Sequence, residues 1–157
     1  MEIEITVPSV PVAMPRQRFR TVNTANRSFV QNYTPVKHPV QDFKATIRLA
    51  FAAAYQGSPL SGPLRCDLVF VMPRPQSMVW KTRKMPRDFH AKKPDRDNLD
   101  KAVMDALKGL AWNDDAQICQ GSIEKWIAGG DEQPHVSIRI RELIDDLPVS
   151  KSEQSLF

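Results

Sequence analysis

Apolar and polar residues alternate at the start of the chain, where Ile3, Ile5 and Val7 fall on one side of residues 2–7. A period of two predicts a β-strand with one buried face. Residues 64–72 instead have the apolar, partly β-branched character of a well-buried strand. Two further strands are predicted nearer the other end of the chain, at residues 117–127 and 135–141.

Two other segments repeat their apolar residues at spacings of three and four, which predicts amphipathic helices. The first begins at Pro39 and continues to about Gln56, directly before Gly57. The second runs from Leu99 to Leu110 and has a glycine near its end, where a helix commonly stops. We interpret the first helix as a packing element and expect the second to lie beside polar residues with a chemical role.

These elements together predict a mixed α/β (α+β) fold, with a single mixed sheet and two main helices. A chain of 157 residues is long enough to bury one hydrophobic core without disulfide bonds. We predict one domain over residues 1–144. The sequence turns polar after that point, and residues 145–157 are predicted to form a loose tail.

Two basic segments lie between the predicted elements. Pro8, Pro11 and Pro15 interrupt regular structure ahead of the first segment, and the irregular character continues to Pro35. The second segment, residues 74–96, combines basic residues with aromatic residues and prolines. Both suit contact with DNA phosphates, although a solvated basic loop is the alternative for each. The candidate DNA contacts are Arg16, Arg18, Arg20, Lys81, Arg83, Lys84, Lys92, Lys93 and Arg96.

Charge and cysteine content indicate which partners and which kinds of site the protein is expected to have. The formal net charge of +4 and the isoelectric point near 9.2 favour an anionic partner without identifying it. Cys66 and Cys119 are the two cysteines, and their spacing fits neither a disulfide framework nor, with the scattered histidines, a zinc site. The sequence has no signal-peptide pattern and no apolar run of bilayer-spanning length. We therefore expect a reduced, cytoplasmic protein.

Acidic residues flank the second predicted helix. Asp95 and Asp97 come just before it, and Asp114 and Asp115 come just after it. In an extended segment, two residues that are two positions apart point to the same side, and a tight turn after the helix would bring Asp115 back toward the sheet. Carboxylates are ligands that Mg²⁺ prefers. Lys101, four residues after Asp97, would stand beside such a site and neutralise charge on a phosphate.

Each of these residues also has a structural interpretation. Asp97 fits a helix N-cap, and Asp114 with Asp115 fits a turn. Lys101 and Asp105 fit an exposed ion pair one helical turn apart. The neighbouring basic segment favours the metal interpretation, because carboxylates that face phosphates need a cation between them. A calcium-binding loop does not fit, since other residues occupy the ligand and glycine positions of that motif.

The motifs around the second helix resemble those of the RusA-type Holliday junction resolvases of bacteria and their phages. The resemblance is carried by D-x-D-N-L-x-K over residues 95–101, D-A-L over residues 105–107 and W-x-D-D-A-Q over residues 112–117. The order of the remaining predicted elements is compatible with that family. The proline-rich basic segment looks longer than in the best-known members, which leaves the cleavage-sequence preference open.

The resemblance implies a homodimeric endonuclease that depends on Mg²⁺, with Mn²⁺ as a substitute. It implies an enzyme of recombination and DNA repair that resolves Holliday junctions and related branched DNA by paired symmetric nicks. As in other members of that family, each nick would leave a 5′-phosphate. It places the metal-binding carboxylates on Asp95, Asp97 and Asp115, and the catalytic lysine on Lys101.

A second function class uses the same residues. A non-catalytic, dimeric DNA-binding protein with an architectural or regulatory role would employ the same basic segment. In that case the aspartates would be caps and turns, and binding would not lead to cleavage. Dependence of turnover on a divalent cation separates the two classes.

The end of the chain, Ser155, Leu156 and Phe157, resembles the last positions of short peptides that bind the bacterial sliding clamp. Two apolar residues at the end of a polar tail would be explained by docking into an apolar groove. A tail without a partner is the alternative.

Overall fold

The computed structural model describes residues 1–16 and 18–147 and shows a mixed α+β fold. Two long helices and a mixed sheet confirm the predicted fold class. The strands are β1 (Glu2–Val7), β2 (Arg18–Asn23), β3 (Ser28–Tyr33), β4 (Leu64–Met72), β5 (Asp88–Phe89), β6 (Ile118–Gln120), β7 (Ile123–Ile127) and β8 (His135–Glu142). The helices are α1 (Pro39–Ala54) and α2 (Arg96–Leu107), and short 3₁₀ turns occur at Gln76–Met78, Asp115–Gln117 and Ile144–Asp146.

Six strands form the main sheet, in the order β1-β8-β4-β7-β5, with β6 also paired to β4. The pairs β1–β8, β8–β4 and β7–β5 are antiparallel, whereas β4 pairs in parallel with β6 and β7. Ile138 lies opposite Ile5 on one side and Leu68 on the other. Because residues in register share a face, the apolar positions of three strands form one continuous surface.

Both helices pack on that apolar surface and against each other. The Arg48 guanidinium on α1 also donates to the Ala106 carbonyl oxygen near the end of α2 at 3.1 Å. The opposite face of the sheet is polar, and there Arg139 pairs with both Glu2 and Glu4. The helix residues in the core are Val40, Phe43, Ile47 and Phe51 from α1 and Leu99, Ala102, Val103, Ala106 and Leu107 from α2.

Residues 117–127 form two strands where the sequence predicted one. A side chain at Gly121 would place its Cβ 2.0 Å from the Cys66 carbonyl oxygen, so only glycine permits this close approach. The chain therefore shifts between β6 and β7 while both remain paired with β4. The alternation of apolar residues alone does not reveal this break.

The segment that was expected to be irregular, residues 16–35, contains a β-hairpin. Strands β2 and β3 pair only with each other, and the bend between them is closed by Thr24 and Arg27, whose backbone groups are 2.8 Å apart. Every residue of the two strands is exposed except Val22, which is half-buried. The expected loop was wrong because flanking prolines and asparagines masked a short β-branched and aromatic pattern.

Within the described ranges, no helix has the length and apolar character needed to cross a membrane. Residues 148–157 lie outside the described part of the chain, and the clamp-like Ser155–Leu156–Phe157 segment is among them. The domain boundary at residue 144 and the clamp-binding tail therefore stay predictions.

Candidate active site

The helix α2 begins at Arg96, three residues earlier than the sequence pattern predicted. Asp95 occupies the N-cap position with extended backbone angles (φ −72°, ψ 146°), and its carboxylate makes no capping hydrogen bond. Asp97 lies in the first turn of the helix. The interpretation of Asp97 as the N-cap is therefore wrong. The expectation of an extended segment through both aspartates is wrong as well, since only Asp95 is extended.

The polar face of α2 carries the next candidate residues. Asp100, Lys101 and Met104 follow Asp97 by three, four and seven residues, so all four lie on one side of the helix. Lys101 thus stands one turn after Asp97, as the sequence predicted. It makes no ion pair within the described residues. Asp105 pairs instead with Lys44 of α1 at 3.8 Å, so the alternative of a Lys101–Asp105 pair is wrong.

A cleft of about 490 Å³ lies between α2 and the β6–β7 edge of the sheet. Asp100 from the helix and Asp115 from the turn after it both line this cleft. The lining also includes Gly121, at the break between β6 and β7. The full lining is Cys66, Asp100, Met104, Asp115, Ile118, Cys119, Gln120, Gly121 and Ile123.

The electrostatics of the cleft show that its carboxylates repel one another. Burial raises the pKa of Asp100 above its usual value, and the negative charge of Asp115 raises it further. Arg96 opposes this effect, whereas Asp97 adds to it. The negative charges of Asp97 and Asp115 therefore both act on Asp100. Repulsion of this kind is what a bound cation relieves.

Asp115 is held in place from the protein interior. The indole Nε1–H of Trp112, a fully buried side chain, donates to Asp115 Oδ1 at 2.8 Å. The neighbouring Asp114 accepts a hydrogen bond from the backbone N–H of Ala116 at 3.0 Å and caps the short 3₁₀ turn. The two aspartates thus differ: Asp114 is used as a cap, and Asp115 faces the cleft.

Gln117 fixes the same turn from its other end. Its Oε1 accepts from the backbone N–H groups of Asn113 and Asp114 at 2.9 and 3.0 Å. Its Nε2 donates to the carbonyl oxygens of Leu60 and Gly62 at 2.9 and 3.0 Å. The turn is therefore attached to the chain ahead of β4 as well as to the core.

Asp95 lies in a neighbouring depression of about 450 Å³, which Arg16, Lys93 and Asn98 also line. The structure thus places Asp115 beside Asp100 and leaves Asp95 apart from them. Within residues 1–16 and 18–147, no three His, Cys, Asp or Glu side chains are arranged to hold a metal ion.

The nine predicted DNA-contact residues are all exposed, and none forms an ion pair with a described acidic residue. Two of them contact aromatic rings: Arg20 lies 5.3 Å from the Tyr33 ring centre, and Arg83 lies 4.0 Å from the Trp80 ring centre. Other basic residues of the loop have structural roles. Arg74, for example, donates to carbonyl oxygens of Met78, Pro86 and Ala128.

Sequence reasoning missed residues that build the site. Asp100 follows Asp97 by three residues, and that helical spacing was the available signal. Lys125 carried no signal, because its role depends on tertiary structure: its Nζ donates to the carbonyl oxygens of Lys92 and Pro94 at 2.7 Å each. This lysine of β7 therefore fixes the segment that leads into Asp95.

The sequence model of the endodeoxyribonuclease RusA family matches residues 8–141, which include every element from β2 to β7. The chain belongs to the RusA family. It is also similar to the uncharacterized protein YqaN of Bacillus subtilis (strain 168), with 29% identity over 146 residues that cover 90% of this chain and 96% of that protein.

Membership in the RusA family indicates an endodeoxyribonuclease of the Holliday junction resolvase type. RusA-family nucleases bind branched DNA junctions, act as dimers and generally depend on a divalent metal. The cleft, the start of α2 and the basic hairpin all lie within the matched residues.

Proposed function

We propose that this RusA-family chain is a Mg²⁺-dependent, structure-specific endodeoxyribonuclease. Its substrates would be Holliday junctions and related branched DNA, which it would cut by paired symmetric nicks in recombination and repair. The observation that carries the proposal is the placement of Asp115, which buried Trp112 holds at the edge of a cleft shared with Asp100. Exposed Arg96 begins the helix that carries Asp100 and acts on that carboxylate. A basic residue beside acidic ones suits phosphates joined to carboxylates through a cation.

The donor atoms fit a hard divalent cation. Asp95, Asp97 and Asp115 supply only carboxylate oxygens, and Mg²⁺ usually takes one or two carboxylates together with waters and substrate phosphates. This small number of protein ligands is compatible with the structure, in which the three carboxylates are not clustered around one position. We propose that these three residues hold Mg²⁺, with Mn²⁺ as a substitute, and that a DNA phosphate completes the coordination of the cation.

The bound cation would orient the scissile phosphate and lower the pKa of the attacking water. The residues of the chain do the remaining work. Lys101, on the same helical face as Asp97, neutralises charge that develops on the phosphate. Asp100 adds a further negative group to the cleft and strengthens its attraction for a cation. Hydrolysis would leave a 5′-phosphate.

The hairpin is the first part of the proposed DNA surface. Residues 16–37 contain five basic residues and no acidic residue. Tyr33 and Thr34 at the base of the hairpin line a depression with Asn98 and Lys101 of α2. The hairpin therefore begins beside the proposed site. A two-stranded ribbon fits the major groove of DNA. We therefore place Arg16, Arg18 and Arg20 against one arm of the branched substrate.

The loop between β4 and α2 supplies the second part of this surface. Arg87 of this loop is ion-paired with Glu132, whereas the other exposed basic residues form no ion pair with a described acidic residue and are free for phosphates. Arg96 opens α2, next to the proposed metal ligands. The proposed contacts from this region are Lys81, Arg83, Lys84, Lys92, Lys93 and Arg96.

A homodimer would supply the second active site. A four-way junction has two-fold symmetry, and two coordinated nicks on opposite strands need two sites related by the same symmetry.

Cleavage of a labelled synthetic four-way junction in the presence of Mg²⁺ tests the proposal. An equal-length duplex and the Asp97→Asn variant are assayed beside it. Asp42→Asn is the matched control, because Asp42 is an exposed acid in the first turn of the other helix, α1. We expect paired symmetric nicks in the junction alone, with native protein and with Asp42→Asn, and none with Asp97→Asn.

The same experiment addresses the second function class. Tight junction binding with no cut in either Mg²⁺ or Mn²⁺ would contradict the nuclease proposal. That outcome would favour the non-catalytic, dimeric DNA-binding protein. The aspartates would then serve only in helix caps and turns.

A further inference from the structure

The hydrogen bond between Trp112 and Asp115 joins the hydrophobic core to the cleft. Trp112 is the largest fully buried side chain among the described residues. An indole has a single polar group, an N–H that only donates, and in buried tryptophans it finds an acceptor. Here that acceptor is Asp115 Oδ1 at 2.8 Å. One edge of a core side chain therefore determines where a cleft carboxylate stands.

The backbone around this pair is fixed as well. The Gly109 N–H donates to the Trp112 carbonyl oxygen at 2.7 Å, and the Leu60 N–H donates to the Ala111 carbonyl oxygen at 2.8 Å. Gly109 adopts a φ of +80°, a conformation that glycine tolerates, just after the end of α2 and three residues before the tryptophan. The ring thus has little freedom to follow Asp115 if that carboxylate moves.

We propose that Trp112 is the positioning residue for Asp115. Its N–H fixes Oδ1 and leaves Oδ2 as the oxygen that faces a cation in the cleft. This inference rests on the proposed function, because it assumes that Asp115 is a metal ligand. A neutral donor suits the task, since it orients the carboxylate without supplying a positive charge that would compete with the cation.

The chain provides a matched control for this hydrogen bond. Trp126 donates its indole N–H to a carboxylate oxygen of Glu124 at 3.1 Å. Both residues lie on β7, with side chains on the polar face of the sheet, away from the helices and the cleft. Trp126→Phe therefore removes the same kind of hydrogen bond without touching the site.

Trp112→Phe and Trp126→Phe are compared with native protein in two measurements. The first is Mn²⁺ affinity of the free protein by titration calorimetry. The second is the Mg²⁺ concentration that gives half-maximal junction cleavage. Loss of a group that orients a metal ligand commonly weakens metal affinity by about 10- to 100-fold. We expect that loss for Trp112→Phe alone, with a matching rise in the Mg²⁺ requirement and near-native cleavage at saturating Mg²⁺.

A purely structural role for Trp112 predicts a different result. The variant would melt at a lower temperature, yet its folded fraction would bind Mn²⁺ with native affinity and show the native Mg²⁺ requirement. That pattern would overturn the proposal. Native protein that binds no divalent metal and cuts no junction would overturn the proposed function and this inference together, so the two failures are distinguishable.

A second measurement decides the matter if Trp112→Phe fails to fold. The chain has three tryptophans, so replacing Trp80 and Trp126 with phenylalanine leaves a single indole N–H signal in the nitrogen-15 NMR spectrum. We expect this signal to shift when Mg²⁺ is added, and to stay unchanged in the same background with Asp115→Asn. A signal that ignores Mg²⁺ in both proteins would overturn the proposal.

Discussion

The acidic turn (residues 112–117) and the basic hairpin (strands β2 and β3) differ in how they are attached to the rest of the protein. The turn is connected to the core through Trp112, and the Gln117 side chain joins it to the chain ahead of β4. The hairpin strands pair only with each other, and nearly all of their residues are exposed. A two-stranded hairpin on its own is only marginally stable in water.

This difference matches two tasks with different requirements. A group that acts on a phosphate must be held close to its productive position before the substrate arrives. A surface that contacts the DNA backbone tolerates adjustment, because phosphates repeat along the strand and their attraction for arginine acts over a distance. The protein accordingly fixes Asp115 through the core and presents its arginines on a hairpin with few contacts.

The largest expected effect comes from Asp115→Asn. The amide oxygen keeps the hydrogen bond from Trp112, so the fold is retained while the ligand charge is lost. We expect junction cleavage to fall by about 10³-fold, the size seen when one electrostatic group is removed from an active site. Single-turnover cleavage in Mg²⁺ measures this loss, and junction binding without divalent cation should stay near native.

Asp114→Asn is the control for that variant, because asparagine caps a helical turn as well as aspartate does. We expect cleavage close to the native rate. Equal losses in the two variants would show that the acidic turn acts through its overall charge, and would remove the distinction between cap and ligand.

An intermediate effect is expected from the double substitution of Arg18 and Arg20 by alanine. Each lost phosphate contact lowers the slope of log affinity against log salt by about one, so the slope should fall by about two. Fluorescence anisotropy with a labelled junction measures it, and the cleavage rate at saturating DNA should stay near native. Arg139→Ala, on the polar face of the sheet, is the control. An unchanged slope in the hairpin variant would place DNA elsewhere.

The smallest expected effect is a change in the free energy of unfolding caused by Asp100 in the cleft. The pKa of Asp100 is raised on folding by burial and by the charge of Asp115. A raised carboxyl pKa means that ionisation destabilises the fold, so the penalty is absent below the ordinary value of 3.8 and grows as pH rises above it. Asp100→Asn should therefore stabilise the metal-free protein at pH 7 by about 0.5 kcal/mol, the size of one like-charge pair on a helix.

Thermal melts at pH 3 and pH 7 check this prediction, which corresponds to a rise in melting temperature of about 1–2 °C at pH 7. The gain should vanish at pH 3. A gain of the same size at both pH values would assign the effect to packing instead of charge.

The sequence predicted those parts of the fold in which hydrophobic spacing directly determines structure. Strands β1, β4 and β8 and helix α1 begin and end close to the predicted residues, because one buried face leaves a clear period. The start of α2 was missed by three residues, since its first turn is polar and carries no apolar signal. The β2–β3 hairpin has no buried face. Its sequence therefore lacks the alternation of apolar and polar residues that would predict strands.

In the candidate site too, the sequence predicted features that depend on local spacing and missed those that depend on tertiary structure. Short motifs predicted the candidate residues Asp95, Asp97, Asp115 and Lys101, because they flank or lie on one helix, and their roles stay predictions. The different roles of Asp114 and Asp115 depend on a core tryptophan and on a glutamine that bonds to distant backbone. Such long-range partners leave no trace in spacing.

The two cysteines of the chain both line the cleft, yet their surroundings differ. Burial raises the pKa of the Cys66 thiol to about 12, so it stays protonated and unreactive near neutral pH. Cys119 is exposed at the rim of the same cleft. The native sequence therefore offers one selectively reactive thiol for a fluorophore or spin label, a spectroscopic probe at the mouth of the cleft that leaves every aspartate intact.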